Sequence, residues 1–352
     1  MRVSIISKIK IEKMENKSST SSRSPGDVEN EPVAKKSKLV YKTIIYDESV
    51  PNQWLDEPPL EVWDHHIIPL LGLRDLALSR TVCTFFEAYW QEKFSNNVLP
   101  LRVGNDVATI NDVMGVIEIL SSRREYTKLN PFVVLLGKGQ HQITSSWTHP
   151  DYGYEFATTL GFTRSNITIV GEGKETTTIL GGFHIDNVEN ITFKQMTVKN
   201  TNNATYDGGH GISIINAKVE LVDVALKGCS SGALSVISDL EFANGKFTLV
   251  ATRCEFANST FGADVNGIST SATFNSCIFK GNMIDGIAAT RKSTIHLHGE
   301  ATTVHSNKRH GISAWRSGKV FIHLPSDHNT SYNNIHYQRR TVSGGTITNV
   351  ED

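Results

Sequence analysis

Proline is absent from 151–324, although ten prolines occur in the 352 residues. Proline removes a ladder donor, so a long segment without it suits a sheet in which nearly every backbone N–H is paired. Cysteine is scarce as well: Cys83, Cys229, Cys254 and Cys277 are the four in the chain. Four are too few for a disulfide framework at this size, and they point to a reducing compartment. No apolar run approaches the ~20 residues of a spanning helix, so no membrane partner is expected. An excess of charge of one sign is missing too, the formal net charge being −1. That balance argues against bulk electrostatic binding to nucleic acid or anionic lipid. Near the start, Lys8 and Lys10 interrupt the apolar stretch and no small-residue cleavage site follows. A secretory leader is therefore not expected, and the chain reads as intracellular, cytoplasmic or nuclear. Lys35-Lys-Ser-Lys suits a nuclear import signal.

Glycine is distributed in the opposite sense to proline. Only four of 27 glycines precede residue 131, and the dense turns between short strands explain the rest. The chain divides accordingly. Residues 1–40 are polar and low in complexity, with too little apolar surface to offset ordering entropy. A linker at 41–57 leads to a helical module at 58–97, and the glycine-rich region spans 101–335 with a tail at 336–352.

The module reads as three short helices. Pro59 suits a first helical turn, Pro69 and Gly72 end that helix, and Phe85, Phe86, Tyr89, Trp90 and Phe94 form an aromatic stripe on the third. The series Pro59-x-Glu61-Val62, Ile67-Ile68, Leu71-x-Leu73-Arg74-Asp75-Leu76 and Val82-Cys83 resembles the F-box motif. Pro58 and Phe86 depart from it, standing where that family has leucine and tryptophan. The resemblance implies docking on a Skp-type adaptor and its cullin scaffold through Pro59, Val62, Ile67, Leu71, Leu76 and Val82.

Asp106–Leu120 has apolar residues at helical spacing, with Thr109 and Asp112 placed to cap the start. The spacing predicts a capping helix near 107–121. Beyond it, a Gly-apolar-small step recurs at Gly211, Gly232, Gly267, Gly286 and Gly311. Paired apolar triplets recur between those steps, among them Ile191-Thr-Phe with Met196-Thr-Val and Val219-Glu-Leu with Val224-Ala-Leu. Repeats ~20–35 residues long are solenoid coils. The fold expected is mainly β, a right-handed parallel β-helix stacking at ~4.8 Å per coil. Val198, Leu226, Phe256, Phe279 and Val304 should form one inward column, ended by Tyr332, and Met196, Val224, Cys254 and Cys277 another. Asn200, Gly228, Asn258, Gly281, Ser306 and Asn333 should form a row of turns. The repeat pattern over 101–335 resembles the pectin-lyase-like superfold.

Asp207-Gly-Gly-His-Gly-Ile-Ser is similar to the Gly-His-Gly segment of polygalacturonases, which work with paired carboxylates. The repeat of that segment at His310, and the lack of the accompanying carboxylate elements, point instead to a turn slot. The slot aligns His210, Ser231, Asn266, Asp285 and His310 as a polar edge for partner binding or plain solvation. Asp264 and Asp285 read as isolated carboxylates. Seven of 13 histidines fall between His296 and His336, with His298 and His323 at equivalent strand positions. Lacking an accompanying thiolate or carboxylate set, they are not expected to bind metal.

The combined resemblance implies a non-catalytic substrate receptor of a cullin–RING ubiquitin ligase. Its β-helix would hold an unidentified target protein, and it would need no catalytic residue and no cofactor. The alternatives are a carbohydrate-binding or carbohydrate-active pectin-lyase-like protein and a non-catalytic solenoid scaffold.

Overall fold

The computed structural model describes residues 100–350, apart from 123, 149–152, 154, 203–207, 239–246 and 326. The helical module at 58–97, with the adaptor-facing set Pro59 to Val82, lies outside the described residues, as do the tail and linker before it.

The first strand, Leu101–Val103, pairs with Phe132–Leu136. Between them a single 3-10 turn, Ile110–Asp112, runs into the helix Val113–Ser121. Thr109 and Asp112 close a reciprocal capping box there, Thr109 N–H donating to Asp112 Oδ2 at 3.0 Å. Val113, Val116 and Ile117 turn inward and join the core of the coils.

Every strand pair among the described residues is parallel except Trp147–Thr148 with Glu155–Phe156. One sheet has sixteen strands. A second has eight, in spatial order from Tyr337–Val342 back to Thr159–Phe162. Order along each sheet follows order along the chain, so each pass adds one coil to a parallel β-helix. The fold is mainly β.

Core columns follow the register. Val198 pairs with Leu226, Leu226 with Phe256, Phe256 with Phe279 and Phe279 with Val304. The column ends on Ser331 and not on Tyr332, which pairs with His305 and stacks on its ring at 5.0 Å. Phe256 and Phe279 stack at 4.7 Å, and Phe274 meets both edge-on. Cys254 and Cys277 are buried in their column as free thiols.

The turn row is present from the second member on, with Gly228, Asn258, Gly281, Ser306 and Asn333 at φ between 53° and 66°, whereas Asn200 is not left-handed. The residue after each of the last three turns carries a feature that the sequence did not reveal. Asn282, Asn307 and Asn334 are buried there in a ladder. Asn282 Nδ2 donates to Asn307 Oδ1 at 2.9 Å, and Asn307 Nδ2 to Asn334 Oδ1 at 2.8 Å. Each Oδ1 also accepts the backbone N–H one coil earlier: Ser259 on Asn282, Asn282 on Asn307, Asn307 on Asn334. Gln338 closes the row, accepting from Asn334 Nδ2 at 2.8 Å. Polar groups buried this deeply are tolerable only when fully paired.

The ladder explains a column of glycines. A Cβ on Gly262, Gly286 or Gly311 would lie 2.9, 2.7 or 2.5 Å from Nδ2 of Asn282, Asn307 or Asn334. In this register Gly262 belongs to the repeat, and Gly267 does not. Gly267 is a turn glycine at φ 115°.

The final coil runs past residue 335. Tyr337–Val342 pairs with His310–Trp315, and Thr346–Asn349 with Lys319–His323. Ser343 and Gly344, at φ 50° and 78°, turn the chain between them.

Candidate functional site

The eight-stranded sheet sends alternate residues inward. Phe183, Ile212, Leu234, Ala263, Ile287 and Ile312 fill one buried column. Outward residues between them form a second, polar column: His184, Ser213, Ser235, Asp264, Ala288, Ser313 and Arg340, paired strand to strand.

Three of the five slot residues share one row next to this column, and two of them, Asp285 and His310, are on adjacent coils. Carrying the register of Ile287 and Ile312 back two places aligns Asp285 with His310, and His310 pairs with Tyr337. By the same count His210 opens that row, and Gly232 and Phe261 fill the places between. Ser231 stands one residue ahead of Gly232, its Oγ 3.3 Å from His210 Nε2. Asn266 is displaced further, pairing with Ile237 and Thr290 at the far end of its strand. Gly267-Ile-Ser matches Gly211-Ile-Ser in sequence, but Gly262-Ala-Asp occupies that place in the coils.

The corrected register brings chemistry together. Asp285, buried, accepts from Ser313 Oγ at 2.7 Å through Oδ2. Asp264 lies one coil earlier. Burial and, next, the charge of Asp285 push the Asp264 carboxyl up to about 6, against a smaller opposing pull from Arg291. The two carboxylates read as isolated in the sequence are thus an interacting pair.

His310 adds a third group. Its Nε2 is 2.6 Å from Arg340 Nη1. A guanidinium has no acceptor, so Nε2 accepts, and the neutral ring carries its proton on Nδ1. Burial lowers the His310 pKa, with Asp285 pulling it up and Arg340 and Arg309 pushing it down. Asp285 Oδ1 and His310 Nδ1 are buried without a hydrogen-bond partner among the described residues. Buried polar atoms are normally paired, so both have room for a further hydrogen bond, to water or to a bound group.

One coil end supplies an aromatic wall. Arg340 lies over the Trp315 ring at 5.0 Å and Arg309 at 5.7 Å. Tyr337 is exposed beside His310, with ring centroids 5.5 Å apart. Arg340, Trp315, Ser313 and Tyr337 were missed by sequence reasoning, since only the register of the last coil places them here.

At the other end of the same sheet, Trp147 stacks on His184 at 4.0 Å and packs against Phe156. Gly161 lies beneath the indole, where a Cβ would meet Trp147 Cδ1.

No family model and no curated protein matches the chain. Solved structures similar to it include a pectin methylesterase mutant in complex with a hexasaccharide, 14% identical, covering 72% of this chain and 93% of that one, TM-score 0.41. A pectin methylesterase from Erwinia chrysanthemi is 13% identical over 72% of this chain and 92% of its own, TM-score 0.41. The catalytic domain of a GH87 α-1,3-glucanase in complex with tetrasaccharides is 11% identical over 70% and 58%, TM-score 0.25. At these scores the likeness assigns no residue and no reaction to this chain.

The expectation of a chain without chemistry of its own is corrected. The solved structures it is distantly similar to are pectin methylesterases and a glucanase catalytic domain, which are enzymes. Its own coils bring Asp264 near Asp285 and His310 against Arg340, where the sequence suggests isolated carboxylates and a row of turn residues.

Proposed function

We propose that the β-helix is carbohydrate-active, with Asp264 and Asp285 as an acid–base pair on a polysaccharide. The observation that carries this reading is the pair itself: two carboxyl groups on adjacent coils, one of them pushed up to about 6. A carboxyl whose pKa is raised by burial and a neighbouring carboxylate is a candidate general acid of hydrolytic chemistry. Asp264 keeps its proton in mildly acidic solution and gives it to the leaving oxygen. Asp285, oriented by Ser313, takes a proton from the attacking water, which bonds to the carbon that the leaving oxygen departs.

The surroundings suit a sugar. Arg309 and Arg340, held over the Trp315 ring, favour a chain that carries carboxylates.

The test is turnover of polygalacturonate, methyl-esterified pectin and a neutral glucan by the full chain. New reducing ends and released methanol are measured at pH 5 to 8. Turnover of an acidic polymer is expected, and Asp264→Asn and Asp285→Asn should each abolish it. No turnover of any polymer, together with no retardation in affinity gels, overturns the reading. So does turnover that survives both substitutions.

A further inference from the structure

Strand Thr294–His298 places His296 and His298 on one face, two residues apart. Strand Lys319–His323 lies beside it, and its last residue, His323, is the register partner of His298. Three imidazoles therefore meet on the outer face of the sixteen-stranded sheet, away from the sheet that carries Asp264. The rings of His298 and His323 are parallel at 4.1 Å, and His296 lies 5.2 Å from His323. Nδ1 of His296 is 2.9 Å from Nε2 of His323. One donor nitrogen from each of the three rings falls within 4.8 Å of the others.

From this convergence we infer that His296, His298 and His323 form a binding site for a divalent metal of the zinc class. This goes beyond the carbohydrate reading and does not depend on it.

The chemistry favours zinc, nickel or copper over magnesium or calcium. Imidazole nitrogen suits borderline ions, and hard cations seek oxygen. A tetrahedral ion with Zn–N bonds of ~2.0–2.1 Å holds its ligand nitrogens about 3.4 Å apart. The rings need only small side-chain rotations to reach that spacing. All three are half-buried, so an ion can enter and still be shielded on the protein side.

Without a metal, the close His296–His323 contact needs one ring to donate a proton and the other to accept it. A metal replaces that proton. Phe321 pairs with His296 and stacks on it at 5.3 Å, fixing the ring plane. Three protein nitrogens leave a fourth position open to water.

The experiment uses the full chain freed of metal by chelator and titrated with zinc chloride against a chromophoric competitor. His298→Ala and His323→Ala are measured beside it, with far-ultraviolet circular dichroism and melting in chelator to verify the fold. One competed equivalent per chain is expected. Each substitution should weaken it beyond the ~10–100-fold that losing a supporting residue costs. Cobalt should give the visible bands of a four-coordinate nitrogen site in the wild type alone. If His323→Ala fails to fold, His298→Gln, which keeps a polar side chain on the strand, carries the comparison. Wild-type stoichiometry and affinity retained in a folded variant, or no competed equivalent in the wild type, overturns the inference.

Discussion

Asp264 and Asp285 sit on neighbouring coils of one sheet, and the negative charge of Asp285 helps burial hold the Asp264 carboxyl at about 6. They are 21 residues apart in the chain, and only the stacking of coils makes them neighbours. A carboxyl raised in the folded state binds its proton more tightly there than in the unfolded chain. Its effect on stability therefore has a definite sign.

As pH rises from the ordinary carboxyl value of ~4 to about 6, the folded state holds a proton that the unfolded state has lost, and stability falls. Above that window the full penalty of the buried charge remains. Asp264→Asn removes the charge. The variant should therefore be more stable than wild type at pH 8, by ~2 kcal/mol after allowance for partial exposure. The gain should shrink towards zero near pH 4. Melting curves at the two pH values decide this, and an equal shift at both would contradict it.

Asn307 Oδ1 accepts from both the Nδ2 and the backbone N–H of Asn282, one coil earlier, and its Nδ2 donates to Asn334 Oδ1. Replacing it by alanine leaves several buried groups unpaired at once. Asn307→Ala should cost ~3 kcal/mol or more in urea unfolding, since each orphaned group costs ~1–3 kcal/mol. A loss below ~1 kcal/mol, the net value of a single ordinary bond, would mean that the ladder is structurally incidental.

Gly286 lies against the same ladder, with Asn307 Nδ2 and Val304 Cγ1 2.7 and 2.5 Å from the place of a Cβ. Gly286→Ala forces that packing apart and should destabilise by ~1–3 kcal/mol. The control is Gly228→Ala, where nothing lies within 4 Å and only the φ of 65° is unfavourable. Its loss, read from the same denaturation curves, should be smaller. The reverse order would refute the packing account.

Cys229, Cys254 and Cys277 are buried. Burial pushes the Cys229 thiol up to about 11, and burial with the neighbouring Cys277 pushes Cys254 well above its usual range. In a Cys83→Ser background none should react with a thiol-specific chromogenic reagent at pH 8, and all three should react in denaturant. Rapid labelling of the native chain would show that the coils open locally.

Much of the coil architecture was legible in the sequence because a β-helix repeats its demands. Every coil needs inward apolar residues at alternate positions and a left-handed turn at one corner. Hence Val198, Leu226, Phe256, Phe279 and Val304, and the row from Gly228 to Asn333, declared themselves by spacing. The ladder did not. Asn282, Asn307 and Asn334 look like ordinary turn residues, and only pairing with the next coil makes them structural. Misreading the place of Gly267 also displaced Asn266 from its true register. Coil length varies here, and a three-residue similarity does not fix it.

By itself the sequence determined that the chain stacks into coils and which side chains fill their interior. Hydrophobic alternation and turn chemistry act locally, between residues near one another in the chain. The tertiary structure alone decided which polar residues meet. Asp264 with Asp285, His310 with Arg340, and His296 and His298 with His323 each join different coils. Their contacts depend on the summed length of everything between them, a quantity that no single residue records.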